Sequence, residues 1–330
     1  MARTRKAPAA RMLIVVAVAM LSAVTGCSDL LSSDDEKSPQ PGVSAPASDG
    51  GSSGGGSSDG GSSKGKAGSC AVDSCPQLPT PSGDFTGSGI TADNVATKVT
   101  PFLTSLLDDL DKAWGAWFTE LNWGDPSAGR KLIEPGTTFE TDCTDGDNKI
   151  GAVSSDLKNA FFCGVDTQPN GNGKATEGTI ILPVQTFAGI WQGDVFGASV
   201  PSVIVGDFTA ATVVAHEYGH NVVFRIAQAL NIPDSAFPQG NNRELIADCF
   251  AGNWAATVFD RDDLSVRNIL QAATLLPLIG DSGPDQGHGT VRERAAALTT
   301  GLTGKALPTF ERRGQPVDCL TKYWPEKFSA

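Results

Sequence analysis

Apolar positions fall into a few clear patterns along the chain. Between 101 and 121, the residues at 102, 103, 106, 107, 110, 114, 117, 118 and 121 are apolar at helical spacing. That predicts a helix with Pro101 in its first turn, where its missing N–H costs nothing. Its Trp and Phe stripe reads as core packing. From 124 to 177 the pattern breaks into short pieces among Gly, Asp, Asn and Thr, with a strand-like Ala160-Phe-Phe-Cys163. Thr179-Ile-Ile-Leu-Pro-Val184 reads as a strand, which Pro183 confines to a sheet edge or a strand end. Residues 186–206 are mixed and predict nothing firm. Asp207 is a good N-cap for an unusually apolar helix from Phe208 to Leu230, stopped by Asn231-Ile-Pro-Asp. Further helices are expected from Arg243 to about Phe259, near Leu264–Leu275 behind Asp263, and after Thr290, where Thr290-Val-Arg-Glu293 is a capping box. The fold class is α+β, mainly helical in its second half, with a small sheet.

The first 69 residues read differently. Basic residues at 3, 5, 6 and 11 precede an apolar run from Met12 to Leu21, too short for a comfortable membrane span. Val24-Thr25-Gly26-Cys27 places small residues before a cysteine, as in a bacterial lipobox, so 1–27 is expected to be a lipoprotein signal with Cys27 lipidated. Residues 28–69 are Ser, Gly, Asp and Pro, and cannot bury enough surface to offset their ordering entropy. As a flexible tether they would hold the domain roughly 35 Å from the bilayer. The expectation is a lipid-anchored protein on the extracytoplasmic face of the cell membrane, with one domain at 70–330.

The net charge is −12, which argues against nucleic acid as a partner. Besides Cys27 there are six cysteines, Cys70, Cys75, Cys143, Cys163, Cys249 and Cys319. An even number in an exported chain suggests disulfides, and six cysteines allow fifteen pairings. No Cys-x-x-Cys pair occurs, which argues against a cysteine zinc site.

The chemistry-bearing segment is Val213-Val-Ala-His-Glu-Tyr-Gly-His220. His216 and His220 are four apart on the apolar helix, about 6 Å along its axis and on one face, so both can reach one zinc ion. Glu217 borders that face and can take a proton from an attacking water. The chain has only three histidines, and two of them fall here. A metzincin would carry Gly and a third His further on, but those positions are Val223 and Ile226. The following helix offers Glu244 and Asp248, again four apart. Glu244 is the expected third ligand, as in His₂Glu peptidases. Asp248 is expected to accept a hydrogen bond from a ligand histidine and fix its tautomer.

Three segments together, Gly206 to His220, Glu244 to Ala255 and Gly287-His-Gly-Thr-Val-Arg-Glu-Arg294, resemble the bacterial neutral zinc metallopeptidases. The likeness runs over about 90–325. It implies a zincin-like fold with a histidine pair on one helix and a glutamate on the next. It also implies a Cys143–Cys163 bridge. Cys70–Cys75 is then expected from proximity, and Cys249–Cys319 is what remains. Where family members often carry a further histidine after the second ligand, this chain has Asn221, and its stretch at 164–178 is longer and more polar.

The expected function is zinc-dependent hydrolysis of peptide bonds, with Glu217 as general base and a peptide or protein as substrate. An edge strand such as 179–184 is expected to pair with the extended substrate. His288, the histidine outside the motif, sits between two glycines before the last capped helix and is the candidate oxyanion donor. Two other readings remain open at this point: a scaffold lipoprotein with a structural zinc, and a zinc amidase acting on cell-wall peptides.

Overall fold

The computed structural model describes residues 70–83, 87–145, 148–202, 205–261, 263, 268, 275, 288–304 and 313–328. The signal and tether expected at 1–69, including Cys27, lie outside them. So does the helix expected at 264–275, apart from Asn268 and Leu275, which are both helical.

The fold is α+β and mainly helical. Helix α1 spans Val95–Glu120. It starts six residues before the position the sequence marked, so Pro101 lies inside it rather than in its first turn. Burial of Val95 and Val99 secures the extra turns in spite of the missing N–H. Leu103, Leu106, Leu107 and Leu110 are fully buried, each contributing about 1.5–3 kcal/mol. Trp114, Trp117 and Phe118 are core, as expected, and Trp114 meets Phe250 edge-on at 5.2 Å.

Five longer strands follow: β1 (Gly129–Ile133), β2 (Thr138–Asp145), β3 (Asn148–Ser154), β4 (Phe161–Pro169) and β5 (Ala175–Pro183). A three-stranded sheet has the order β1-β5-β4, with β1 parallel and β4 antiparallel to β5. β2 and β3 form a separate antiparallel hairpin. Pro183 does sit at a strand end, opposite Ile133. The edge-strand expectation for 179–184 is corrected, however: β5 is paired on both sides, and β1 and β4 are the edges of this sheet. The polar stretch at 164–178 is the β4–β5 hairpin, turned by Asn170, whose N–H donates to the Lys174 carbonyl at 2.9 Å. The Cys143–Cys163 bridge ties β2 to β4 over a small second core of Ile133, Val153, Phe161 and Ile181.

Pro183 then hands the chain straight into α2 (Val184–Gln192), which the sequence did not reveal. A two-residue hairpin, β6 (Asp194–Val195) and β7 (Ala198–Ser199), leads on. Helix α3 spans Asp207–Leu230 and ends at Asn231, whose left-handed φ of 53° stops it as expected. Its N-cap is Gly206, not Asp207. The Asp207 carboxylate is engaged elsewhere, accepting from the Ser88 N–H and hydroxyl at 2.6 Å each and from Trp191 Nε1 at 3.1 Å.

Helix α4 spans Asn242–Asp260 and is buried on every side from Glu244 to Val258. Helix α5 spans Val291–Thr303 behind the Thr290–Glu293 capping box. Two short helices, α6 (Pro316–Tyr323) and α7 (Pro325–Phe328), close the chain and were not foreseen. All three expected bridges are formed: Cys70–Cys75 near the described N-terminus, Cys143–Cys163, and Cys249–Cys319 between α4 and α6. No helix among the described residues is long and apolar enough to cross a membrane.

Candidate metal centre

The three central helices stack through glycine. A Cβ at Gly219, between the two histidines of α3, would lie 2.7 Å from the Ala247 carbonyl oxygen and 2.8 Å from its Cα. The missing side chain lets α3 and α4 touch backbone to backbone. Ala247 is flanked on α4 by Glu244 and Asp248, so this contact brings both acids to the histidine face. A second contact joins α4 to α5. A Cβ at Gly252 would lie 2.2 Å from the Leu298 oxygen, and one at Gly301 would lie 1.8 Å from the Cys249 oxygen.

The site follows from this stacking. His216 Nε2 is 3.2 Å from His220 Nε2 and 3.2 Å from Glu244 Oε2. His220 Nε2 is 3.6 Å from Glu244 Oε1. One ligand atom from each of these residues lies within 4.8 Å of the others, a group that could hold a metal ion. His216 and Glu244 are buried and His220 is half-buried.

Asp248 stands behind the first histidine, its Oδ1 2.8 Å from His216 Nδ1. A ring that donates from Nδ1 keeps an Nε2 lone pair for a metal. Arg294 of α5, which the sequence reading did not single out, grips Asp248 with two bonds, Nε to Oδ2 at 2.7 Å and Nη2 to Oδ1 at 2.8 Å. Both side chains are buried, Asp248 at 2 % exposure and Arg294 at 2 %. One signal was available in the sequence: a buried Asp248 demands a counter-charge.

Glu217 is buried, and its Oε2 accepts from the Phe162 N–H of β4 at 3.0 Å. No side-chain pattern could have pointed to that backbone donor. Burial pushes the Glu217 carboxyl above the ordinary glutamate range, and Glu244 adds to this against the opposing pull of His216, His220 and Phe162. Burial works against a charged His216, but Asp248 and Glu244 overcome it and raise the ring to about 10. Glu244 is held well below its ordinary range: burial raises it, and the three histidines lower it further. Asp248 is also lowered, with Arg294 and His216 outweighing burial.

His288 enters from the turn before α5, its Nδ1 3.8 Å from Glu244 Oε2. Tyr218 points away from the cradle, its hydroxyl donating to Asp111 at 2.6 Å. Asn221 also faces away, donating to the Pro126 carbonyl at 2.7 Å. Behind α3, a separate cavity of about 760 Å³ is lined by Asp108, Asp111, Asp125 and neighbours.

Fold and site together define a mainly helical α+β protein with a buried two-histidine, one-glutamate cradle. The chain is 24 % identical over 258 residues to the uncharacterized protein YpfJ of Escherichia coli strain K12, spanning 73 % of this chain and 79 % of that protein. The same figures hold for YpfJ of Escherichia coli O6:H1. No protein-family model and no solved structure matches the chain.

Proposed function

We propose that this chain is a zinc-dependent peptidase with His216, His220 and Glu244 as metal ligands and Glu217 as general base. Two observations favour zinc in the cradle. Tetrahedral bonds of about 2.0–2.1 Å put neighbouring donor atoms about 3.3 Å apart, and two donor separations here are 3.2 Å. In addition, Glu217, Glu244 and Asp248 set three carboxylates against the single Arg294 guanidinium. Once His216 has shed its proton to ligate, that leaves two negative charges, the charge of one divalent cation.

The observation that carries the function is Glu217. A purely structural metal site has no use for a further buried acid beside its ligand Glu244 and the supporting Asp248. Bound zinc supplies Lewis-acid polarisation of the scissile carbonyl and of water. Glu217 removes a proton from the attacking water and passes it to the leaving amine. Its raised pKa suits both halves of that task. The Phe162 N–H holds one carboxylate oxygen, leaving the other to face the reacting water. β4, the one of the two edge strands that carries Phe162, takes the place first assigned to 179–184 as the ledge for an extended substrate. His288 supplies the hydrogen bond to the developing oxyanion. The protein acts outside the cytoplasm, held to the cell membrane by a lipid on Cys27.

The test is zinc analysis of the full chain, then digestion of a peptide library beside Glu217→Gln. The variant is expected to keep about one zinc per chain and to lose cleavage. Cleavage at the parent rate by a zinc-loaded Glu217→Gln chain would remove the general base from this scheme.

A further inference from the structure

We propose that Arg294 is a positioning residue for the metal cradle, acting through Asp248. The inference rests on the metal-site reading above. A carboxylate can swing about its last torsion and present either oxygen to a neighbour. Asp248 cannot, because the Arg294 fork holds both oxygens at once, Nε on Oδ2 at 2.7 Å and Nη2 on Oδ1 at 2.8 Å. Its Oδ1 is thereby fixed 2.8 Å from His216 Nδ1. The ring in turn aims Nε2 at the other donors, 3.2 Å from His220 Nε2 and 3.2 Å from Glu244 Oε2. The guanidinium meets His216 at the rear nitrogen Nδ1, 3.3 Å from Nη2, on the side of the ring away from the other donors.

The placement of Arg294 is itself built. It is the fourth residue of α5, whose start is fixed by the Thr290–Glu293 capping box. The body of α5 is seated by the close crossing at Gly252 and Gly301. A planar fork with two parallel donors suits this grip, whereas a lysine offers one point charge and cannot hold both oxygens.

Zinc affinity, measured by chelator competition on the full chain, tests this without requiring any activity. Arg294→Gln is expected to weaken zinc binding by about 10–100-fold, the range for lost outer partners of metal ligands. Arg294→Lys, which keeps the charge but not the fork, is expected to stay at least about threefold weaker than the parent. In an Asp248→Asn background, Arg294→Gln is expected to cost less than about twofold, because the route through Asp248 is already cut. The double variant carries no buried lone charge at either position, so its affinity beside that of Asp248→Asn decides the matter if Arg294→Gln alone fails to fold. Parent-like affinity in Arg294→Gln, full rescue by lysine, or an undiminished loss in the Asp248→Asn background would each overturn the proposal. A parent chain that binds no zinc would instead sink the metal reading itself.

Discussion

Gly301 gives the sharpest test of how the site is held together. A Cβ there would lie 1.8 Å from the Cys249 carbonyl oxygen and 2.8 Å from the Asn253 nitrogen. Both are backbone atoms of α4 and cannot turn aside, so Gly301→Ala must part the two helices by about 1 Å or more. Overpacking of this kind costs up to about 3 kcal/mol, and the better helix propensity of alanine returns about 1 kcal/mol. The net loss is about 2 kcal/mol, or a fall in Tm of roughly 4–8 °C for a domain of this size. Cys249 adjoins Asp248, so the same movement stretches the Asp248–Arg294 bonds from 2.7 and 2.8 Å beyond hydrogen-bond range. Zinc affinity should therefore fall as well. Gly115→Ala is the control. Gly115 also lies inside a helix, but a Cβ there meets nothing within 4 Å. That variant should gain up to about 1 kcal/mol. Thermal melts of both variants at matched metal content, with chelator titrations, read the two effects. Gly301→Ala melting with the parent would refute the crossing as a constraint. A large drop in Tm with unchanged zinc affinity would refute its link to the site.

Glu244→Ala should abolish tight zinc binding, whereas Asp248→Asn should weaken it by about 10–100-fold; equal affinities for Glu244→Ala and parent in chelator competition would place the third ligand elsewhere. His288→Ala should keep zinc and lower turnover by about 10²–10³-fold; a drop of less than about threefold, with zinc retained, would remove it from the reaction. His216, raised to about 10 before metal binds, is charged at neutral pH and must shed its proton to ligate. Zinc affinity should then weaken about tenfold per pH unit as the pH falls below that value, with about one proton released per zinc at pH 7 from this ring. Calorimetry in buffers of different ionisation heat reads that proton, and a buffer-independent enthalpy would refute it.

Much of this was legible in the sequence because the signals were local. Apolar runs and helical spacing marked α1, α3 and α4, and the Thr290–Glu293 capping box marked the start of α5. His216, Glu217 and His220 needed only adjacency on one helix, and Glu244 with Asp248 only the same spacing on the next. What escaped depended on tertiary contact. α2 is nine residues long, and Gln185 and Gln192 alone mark its exposed face, too few for a helical period to show. Pro183 joins it to β5 without a loop, and the strand reading ran past the junction into Val184. α6 and α7 are too short to show a repeat. Asp207 has the side chain of a cap, yet Ser88 and Trp191 claim its oxygens. Arg294 has the spacing of any charged residue on an exposed helix, and only its partner Asp248 reveals that it is buried. β5 lies between β1 and β4 rather than at an edge because of a pairing order that strand patterns cannot reveal.

The cradle and its Asp248–Arg294 support draw on three helices, and the glycines explain how so few residues can hold them. Gly219 sits between the two histidines and lets Ala247 approach, which places Glu244 and Asp248 one to each side of the contact. Gly252 lies one turn beyond Asp248 and meets α5 together with Gly301, which carries Arg294 to Asp248. Backbone contact leaves no side-chain rotamer to adjust, so each helix fixes the next with little play. The Cys249–Cys319 bridge then pins α4 from its far side to α6. A site that gathers three buried carboxylates needs such rigidity, because their repulsion would otherwise push the helices apart until a cation arrives. In this fold packing and Arg294 hold the acids together, and the donors stand 3.2 Å apart. The residue between the histidines is therefore constrained by packing rather than by chemistry: any side chain at 219 separates α3 from α4, however well His216 and His220 are preserved.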